Sequence, residues 1–165
     1  MKRFLIWSER IERWLTLAGF TVLVLVVFGD VLYRELFGTG LHWARQTGVY
    51  ANIVVIMFGM GLTSATGQHL RPRFADSWLP EAWDSFLNRC QDGGMALFCM
   101  AFAWFAGEVV ADSFTLAEQS AVLGIYIWPF QAIIPLAFAL SACRHAVYAY
   151  RDDLKPLQIS EPGAT

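Results

Sequence analysis

The sequence is poor in charged residues. Asp, Glu, Lys and Arg make up only 16% of its 165 residues, against about a quarter in soluble domains. Hydrophobic residues make up 56% of the chain. This balance excludes a disordered chain and a coiled coil. The net charge of −2 offers no basic surface for phosphates, which excludes a nucleic-acid binder.

Cysteines and catalytic motifs are also scarce. The three cysteines are Cys90, Cys99 and Cys143, with no CxxC or CxxCH spacing among them. Neither a disulfide framework nor a thiolate metal site is therefore indicated. The sequence contains no HExxH motif, no glycine-rich phosphate loop and no nucleophile–base constellation. We predict that the chain is not an enzyme and holds no cofactor.

Four long apolar segments dominate the chain. They predict transmembrane helices over residues 14–36, 46–68, 90–112 and 120–143. About 20 helical residues cross a hydrocarbon core of about 30 Å. These runs are continuous rather than alternating, which excludes a barrel. We expect an all-α integral membrane protein with a single domain of four helices over residues 1–155, followed by a polar tail over residues 156–165.

The basic residues predict the orientation. Ten of the 12 Lys and Arg residues lie in the N-terminal arm, the second loop or the C-terminal tail, and the tail includes Arg144. The first loop holds only Arg34 and Arg45, and the third loop holds none. The positive-inside rule then places both termini in the cytoplasm.

The arm before the first span has the pattern of an amphipathic helix on the membrane surface. Its apolar residues recur at helical spacings, at Phe4, Trp7, Ile11 and Trp14. Charged side chains, Glu12 among them, occupy the rest of the circumference, which is typical of an interfacial helix. Four tryptophans are the expected interfacial anchors: Trp7, Trp14, Trp78 and Trp83.

Two polar pairs lie within the predicted spans. Asp30 and Arg34 are four residues apart and share a helix face, so we expect them to pair or to contact a partner subunit. Glu108 and Asp112 have the same spacing but like charge. We expect them to face water or to meet Arg34 or Arg45. A coupling-ion site would need a third oxygen ligand, and the sequence indicates none.

Two histidines leave a redox alternative open. His69 and His145 lie near the cytoplasmic ends of the second and fourth predicted spans, where a bis-histidine haem is geometrically conceivable. Both flank charged residues at the membrane boundary, so we expect solvated side chains. The alternatives are a b-type cytochrome or quinone-linked anchor, and an autonomous small ion or drug transporter that uses Asp30 or Glu108.

Three groups of short motifs, taken in order, match one family. They are RELFG and LHW within residues 34–43, GMG with QHLR and LP within residues 59–80, and LGI with WP and PLAF within residues 123–138. Their order and spacing resemble the small membrane subunit (DctQ-like) of tripartite ATP-independent periplasmic (TRAP) transporters. The resemblance covers roughly residues 11–151.

The resemblance implies a scaffold subunit in the bacterial inner membrane. Such a subunit would bind a large transport subunit, and a periplasmic solute-binding protein would deliver the solute. Uptake would be secondary, usually a sodium-coupled symport, with the substrate and ion sites in the large subunit. The residues that would contact the partner or membrane phospholipids are Arg34, Trp43, His69, Arg71 and Arg73.

Overall fold

A computed structural model of the chain describes residues 2–65 and 84–150. Within them five helices follow one another: α1 (Lys2–Phe37), α2 (Ala44–Ala65), α3 (Asp84–Thr115), α4 (Trp128–Gln131) and α5 (Ile133–Tyr150). Four helical stretches are long and apolar enough to cross a membrane: Arg3–Phe37, Ala44–Ser64, Arg89–Thr115 and Trp128–Tyr150. For the described residues, the prediction of an all-α fold with four helices long and apolar enough to span a membrane is confirmed.

The fourth apolar helix begins later than the sequence predicts. The prediction starts it at residue 120, whereas residues 116–127 form a compact loop in the structure. Within this loop Ser120 donates its N–H to the Ile125 carbonyl at 2.8 Å, and Gly124 adopts a positive φ of 65°. The helical stretch begins at Trp128, with Pro129 in its first turn, where proline costs no hydrogen bond. Hydropathy alone does not distinguish these apolar loop residues from a span.

Helix α1 runs without a break through the predicted surface arm and the first span. Its 36 residues extend about 54 Å. Trp7 and Trp14 point outward, with exposed fractions of 62% and 66%, whereas Ser8 and Glu12 are buried. The amphipathic pattern groups Glu12 with the charged side chains of the arm, whereas in the structure it is buried inside the bundle. An interfacial position for the arm stays a prediction.

The bundle consists of two helix pairs. Helix α1 packs along α2, α3 packs along α5, and the pairs meet mainly through α2 and α5. Small residues allow close approach: a Cβ added at Gly19 would lie 2.9 Å from Val54 Cγ1. Most large apolar side chains of α1 and α3 are exposed, as expected for helices that face lipid or another membrane subunit.

The two ends of the bundle differ in which helix ends and loops lie there. We call one the terminal end: it holds the first turns of α1 and the last turns of α2 and α5. The other, the loop end, holds the loops over residues 38–43 and 116–127. The end of α1 is closed by Gly38, which adopts a φ of 73° and donates its N–H to the Arg34 carbonyl at 2.9 Å. This is the usual glycine-terminated helix end.

Candidate functional site

Six buried polar side chains meet at the terminal end. We call them the terminal-end cluster: Ser8 and Glu12 from α1, Ser64 from α2, Asp92 from α3, and Arg144 and His145 from α5. Arg144 and Glu12 are each only 1% exposed. Charges buried so deeply persist only when they are paired and hydrogen-bonded.

The Arg144 guanidinium joins three helices. Its Nη2 donates to Glu12 Oε2 at 2.6 Å and to Ser8 Oγ at 3.2 Å, both on α1. Its Nη1 donates to the main-chain carbonyl of Gly61 on α2. One side chain of α5 therefore holds the start of α1 and the end of α2 together.

Gly61 makes room for this ion pair. A Cβ added at Gly61 would lie 2.9 Å from the Glu12 carboxyl carbon and from Oε1. At that distance the carboxylate would have to shift. The glycine thus lets the Glu12 carboxylate rest directly against the backbone of α2.

His145 makes the second set of contacts in the cluster. Its Nε2 lies 2.7 Å from Ser64 Oγ on α2, and its Nδ1 lies 3.2 Å from Asp92 Oδ1 on α3. The ring also packs edge-on against Tyr148. Serine, histidine and aspartate stand here in the order of a hydrolase triad. All three are at most 4% exposed, so a substrate would reach the Ser64 hydroxyl only if the bundle opened.

Arg144 and His145 are neighbours in α5, and this adjacency organises the cluster. Consecutive helical residues point about 100° apart. The guanidinium therefore reaches α1 and α2 while the imidazole reaches α2 and α3. Together they tie all four long helices of the described chain at one end.

The expectations for Arg144 and His145 are wrong. Arg144 belongs to α5 rather than to a basic tail, and His145 is buried rather than solvated. Both residues lie at the end of an apolar run, and charged residues in that position normally mark the place where a transmembrane helix meets water. One signal pointed to the cluster: Ser8 and Glu12, four apart, share a helix face that neither Trp7 nor Trp14 occupies.

The structure places Asp30 beside Arg34 at the loop end. Arg34 Nη2 lies 2.8 Å from Asp30 Oδ2. Asp30 Oδ1 accepts the Leu41 main-chain N–H at 2.6 Å, which ties α1 to the loop before α2. A Cβ at Gly40 would lie 3.1 Å from Asp30 Oδ1, so the loop passes directly over the pair. Trp43 is partly exposed just before α2.

The remaining predicted site residues lie apart from the cluster. Glu108 and Asp112 are exposed on α3, and Glu108 accepts a hydrogen bond from Trp104 Nε1 at 3.0 Å. Within residues 2–65 and 84–150, no ion pair joins either carboxylate to Arg34 or Arg45. Five further predicted residues lie outside the described part of the chain: His69, Arg71, Arg73, Trp78 and Trp83.

Comparison with known families gives a match over most of the chain. The family described as "Tripartite ATP-independent periplasmic transporters, DctQ component" matches residues 23–155, well over half of the chain. No curated protein and no solved structure matches the chain. The matched region contains four members of the terminal-end cluster, whereas Ser8 and Glu12 precede it. The chain therefore belongs to the DctQ family and is a small membrane component of a TRAP transporter.

Proposed function

We propose that the chain is a static scaffold subunit of a TRAP-type secondary transporter in the bacterial inner membrane. DctQ proteins in general work with a large TRAP membrane subunit and a periplasmic binding protein. In this proposal the large subunit holds the solute and ion sites, and a sodium gradient drives uptake. The chain binds the large subunit and gives it a fixed partner in the membrane.

The terminal-end cluster is the observation that carries this proposal. Transport by alternating access requires helices to change their relative positions. Here buried hydrogen bonds join all four long helices of the described residues, and any large movement between them would break the buried ion pair of Glu12 and Arg144. That arrangement suits a subunit that stays rigid while its partner moves.

The outer faces of α1 and α3 supply the surface for the partner and for lipid. Phe28 on α1, and Leu97 and Trp104 on α3, are more than half exposed. Following the positive-inside rule, we infer that the terminal end faces the cytoplasm. Residues expected to contact the partner or lipid headgroups are then Arg34 and Trp43 on the outer side and His69, Arg71 and Arg73 on the inner side.

The contacts of His145 disfavour the redox alternative. Both ring nitrogens already have hydrogen-bond partners, Ser64 and Asp92. An axial haem ligand would have to give up one of these bonds and open the cluster.

Purification of the tagged full chain from its native membrane tests the proposal. We expect a large TRAP membrane subunit to co-purify, and we expect a preparation without a Soret band. A chain that emerges alone and transports solute by itself would contradict the scaffold assignment.

A further inference from the structure

We propose that the loop end carries a phospholipid-binding site formed by α1, α2 and the loop between them. A polar pocket and an apolar groove meet there, and they match the headgroup phosphate and one acyl chain of a single lipid. This site refines the lipid contact proposed above for Arg34, and it depends on neither the large subunit nor solute transport.

The polar pocket has a volume of about 640 Å³ and carries two guanidinium groups. Arg34 is held by Asp30 at 2.8 Å, whereas Arg45 is exposed in the first turn of α2. His42 and Gln46 add further hydrogen-bonding groups to the lining. The start of α2 contributes the positive end of its helix dipole. Asp30 also lines the pocket, but its two oxygens already accept from Arg34 and from the Leu41 N–H. The remaining donors favour a phosphate.

The apolar groove has a volume of about 410 Å³ and lies between α1 and α2. Leu23 and Val27 line it on α1, and Gly48 and Val49 line it on α2. Gly48 lies at the floor of the groove, where even an added Cβ would make only ordinary contact with Leu23 Cδ1, at 3.7 Å. Apolar walls of this kind match the surface of an acyl chain.

Pocket and groove form one continuous surface. Asp30, Arg45 and Val49 line both of them. From Ala44 to Asn52, the α2 residues that line the groove extend about 12 Å along the helix, close to half of a 30 Å hydrocarbon core. The surface therefore runs from the headgroup layer through most of one leaflet.

This continuity identifies the occupant as a phospholipid. A free anion would use the arginines but not the groove. An extended peptide in the groove would bring unpaired backbone N–H and C=O groups into hydrocarbon, which lipid does not tolerate. A phospholipid fills both parts, with its phosphate at Arg45 and an acyl chain over Gly48 and Val49.

Native mass spectrometry of the full chain, released from micelles containing phosphatidylglycerol, tests this proposal. Arg45→Gln removes the exposed cation, and Val49→Trp fills the groove while both arginines remain. We expect each substitution to lower phosphatidylglycerol occupancy about tenfold. Arg45→Gln removes a charge-assisted hydrogen bond to the phosphate, and Val49→Trp removes the contact surface for an acyl chain. Because Arg45 and Val49 are both exposed, neither change disturbs packed core.

Matched substitutions elsewhere serve as controls. Arg13→Gln changes an exposed arginine at the terminal end, and Val109→Trp changes an exposed valine on α3; both should keep wild-type occupancy. Diacylglycerol, which has the chains but no phosphate, should not be retained. Equal phosphatidylglycerol occupancy in Arg45→Gln, Val49→Trp and wild type would overturn the proposal. Inorganic phosphate retained as well as the lipid would also overturn it, by indicating a free-anion site.

Discussion

The carboxylate of Glu12 and the guanidinium of Arg144 lie 2.6 Å apart, although 132 positions separate the two residues in the chain. Both side chains are almost fully buried. The pair joins the first turns of the first helix to the last turns of the last one. It joins α1 to α5 at the terminal end. The short loops over residues 38–43 and 116–127 lie at the opposite end and do not connect these two helices there.

Substitution of Glu12 by Gln should strongly destabilise the bundle. The Arg144 charge would remain buried without its counterion, which costs about 3–5 kcal/mol in comparable cases. The free energy of unfolding in detergent micelles measures this loss. The matched control is Glu9→Gln, which breaks an exposed pair with Arg13 of the same 2.6 Å length and should cost less than about 1 kcal/mol. Equal losses in the two variants would show that burial of the pair is unimportant.

Gly61→Ala should also destabilise the terminal end. The added methyl would meet the Glu12 carboxylate at 2.9 Å, and overpacking of this kind costs about 1–3 kcal/mol. Gly107→Ala is the control, because a Cβ at Gly107 meets no described atom within 4 Å. That change should be neutral or stabilise α3 by up to about 1 kcal/mol. The expectation fails if thermal unfolding of both variants shifts in the same direction.

His145→Phe should loosen the contact between α2 and α3. The aromatic ring keeps its place beside Tyr148, but Ser64 and Asp92 lose the imidazole between them. Removing one partner from buried polar groups costs about 1–3 kcal/mol each. Hydrogen exchange should therefore rise in the last turns of α2, around Ser64. His42→Phe, at an exposed position of the loop end, should leave this exchange unchanged. Unchanged exchange in His145→Phe would contradict the assigned role.

Asp30→Asn should weaken the anchor of the first loop without unfolding the bundle, because a neutral amide oxygen accepts a weaker hydrogen bond than a carboxylate. The Leu41 N–H would lose a charged acceptor at 2.6 Å, while the exposed pair with Arg34 contributes only about 0–1 kcal/mol. Amide exchange at Leu41 should accelerate in Asp30→Asn and stay close to wild type in Arg34→Gln. Similar acceleration in both variants would assign the loop anchor to Arg34 instead.

The long apolar runs predict the four helices because hydrocarbon imposes the same requirement along a whole span. Hydropathy misplaces the start of the last described helix, since a hydrogen-bonded turn over residues 120–127 is as apolar as a span. The position of Arg144 at the end of an apolar run likewise resembles that of a boundary charge. Whether such an arginine meets water or Glu12 depends on how three helices pack, and one-dimensional charge counting carries no information about that packing. The i, i+4 pair of Asp30 and Arg34, by contrast, is local and can be read directly from the spacing.

Solute uptake by reconstituted proteoliposomes tests the central claim, that this chain is a scaffold and not a transport element. The vesicles contain this chain with the large subunit and the binding protein, or this chain alone. We predict uptake only with all three components, and wild-type uptake when Glu108→Gln and Asp112→Asn are combined. Uptake by the chain alone, or loss of uptake in the double variant despite normal assembly with the large subunit, would contradict the account.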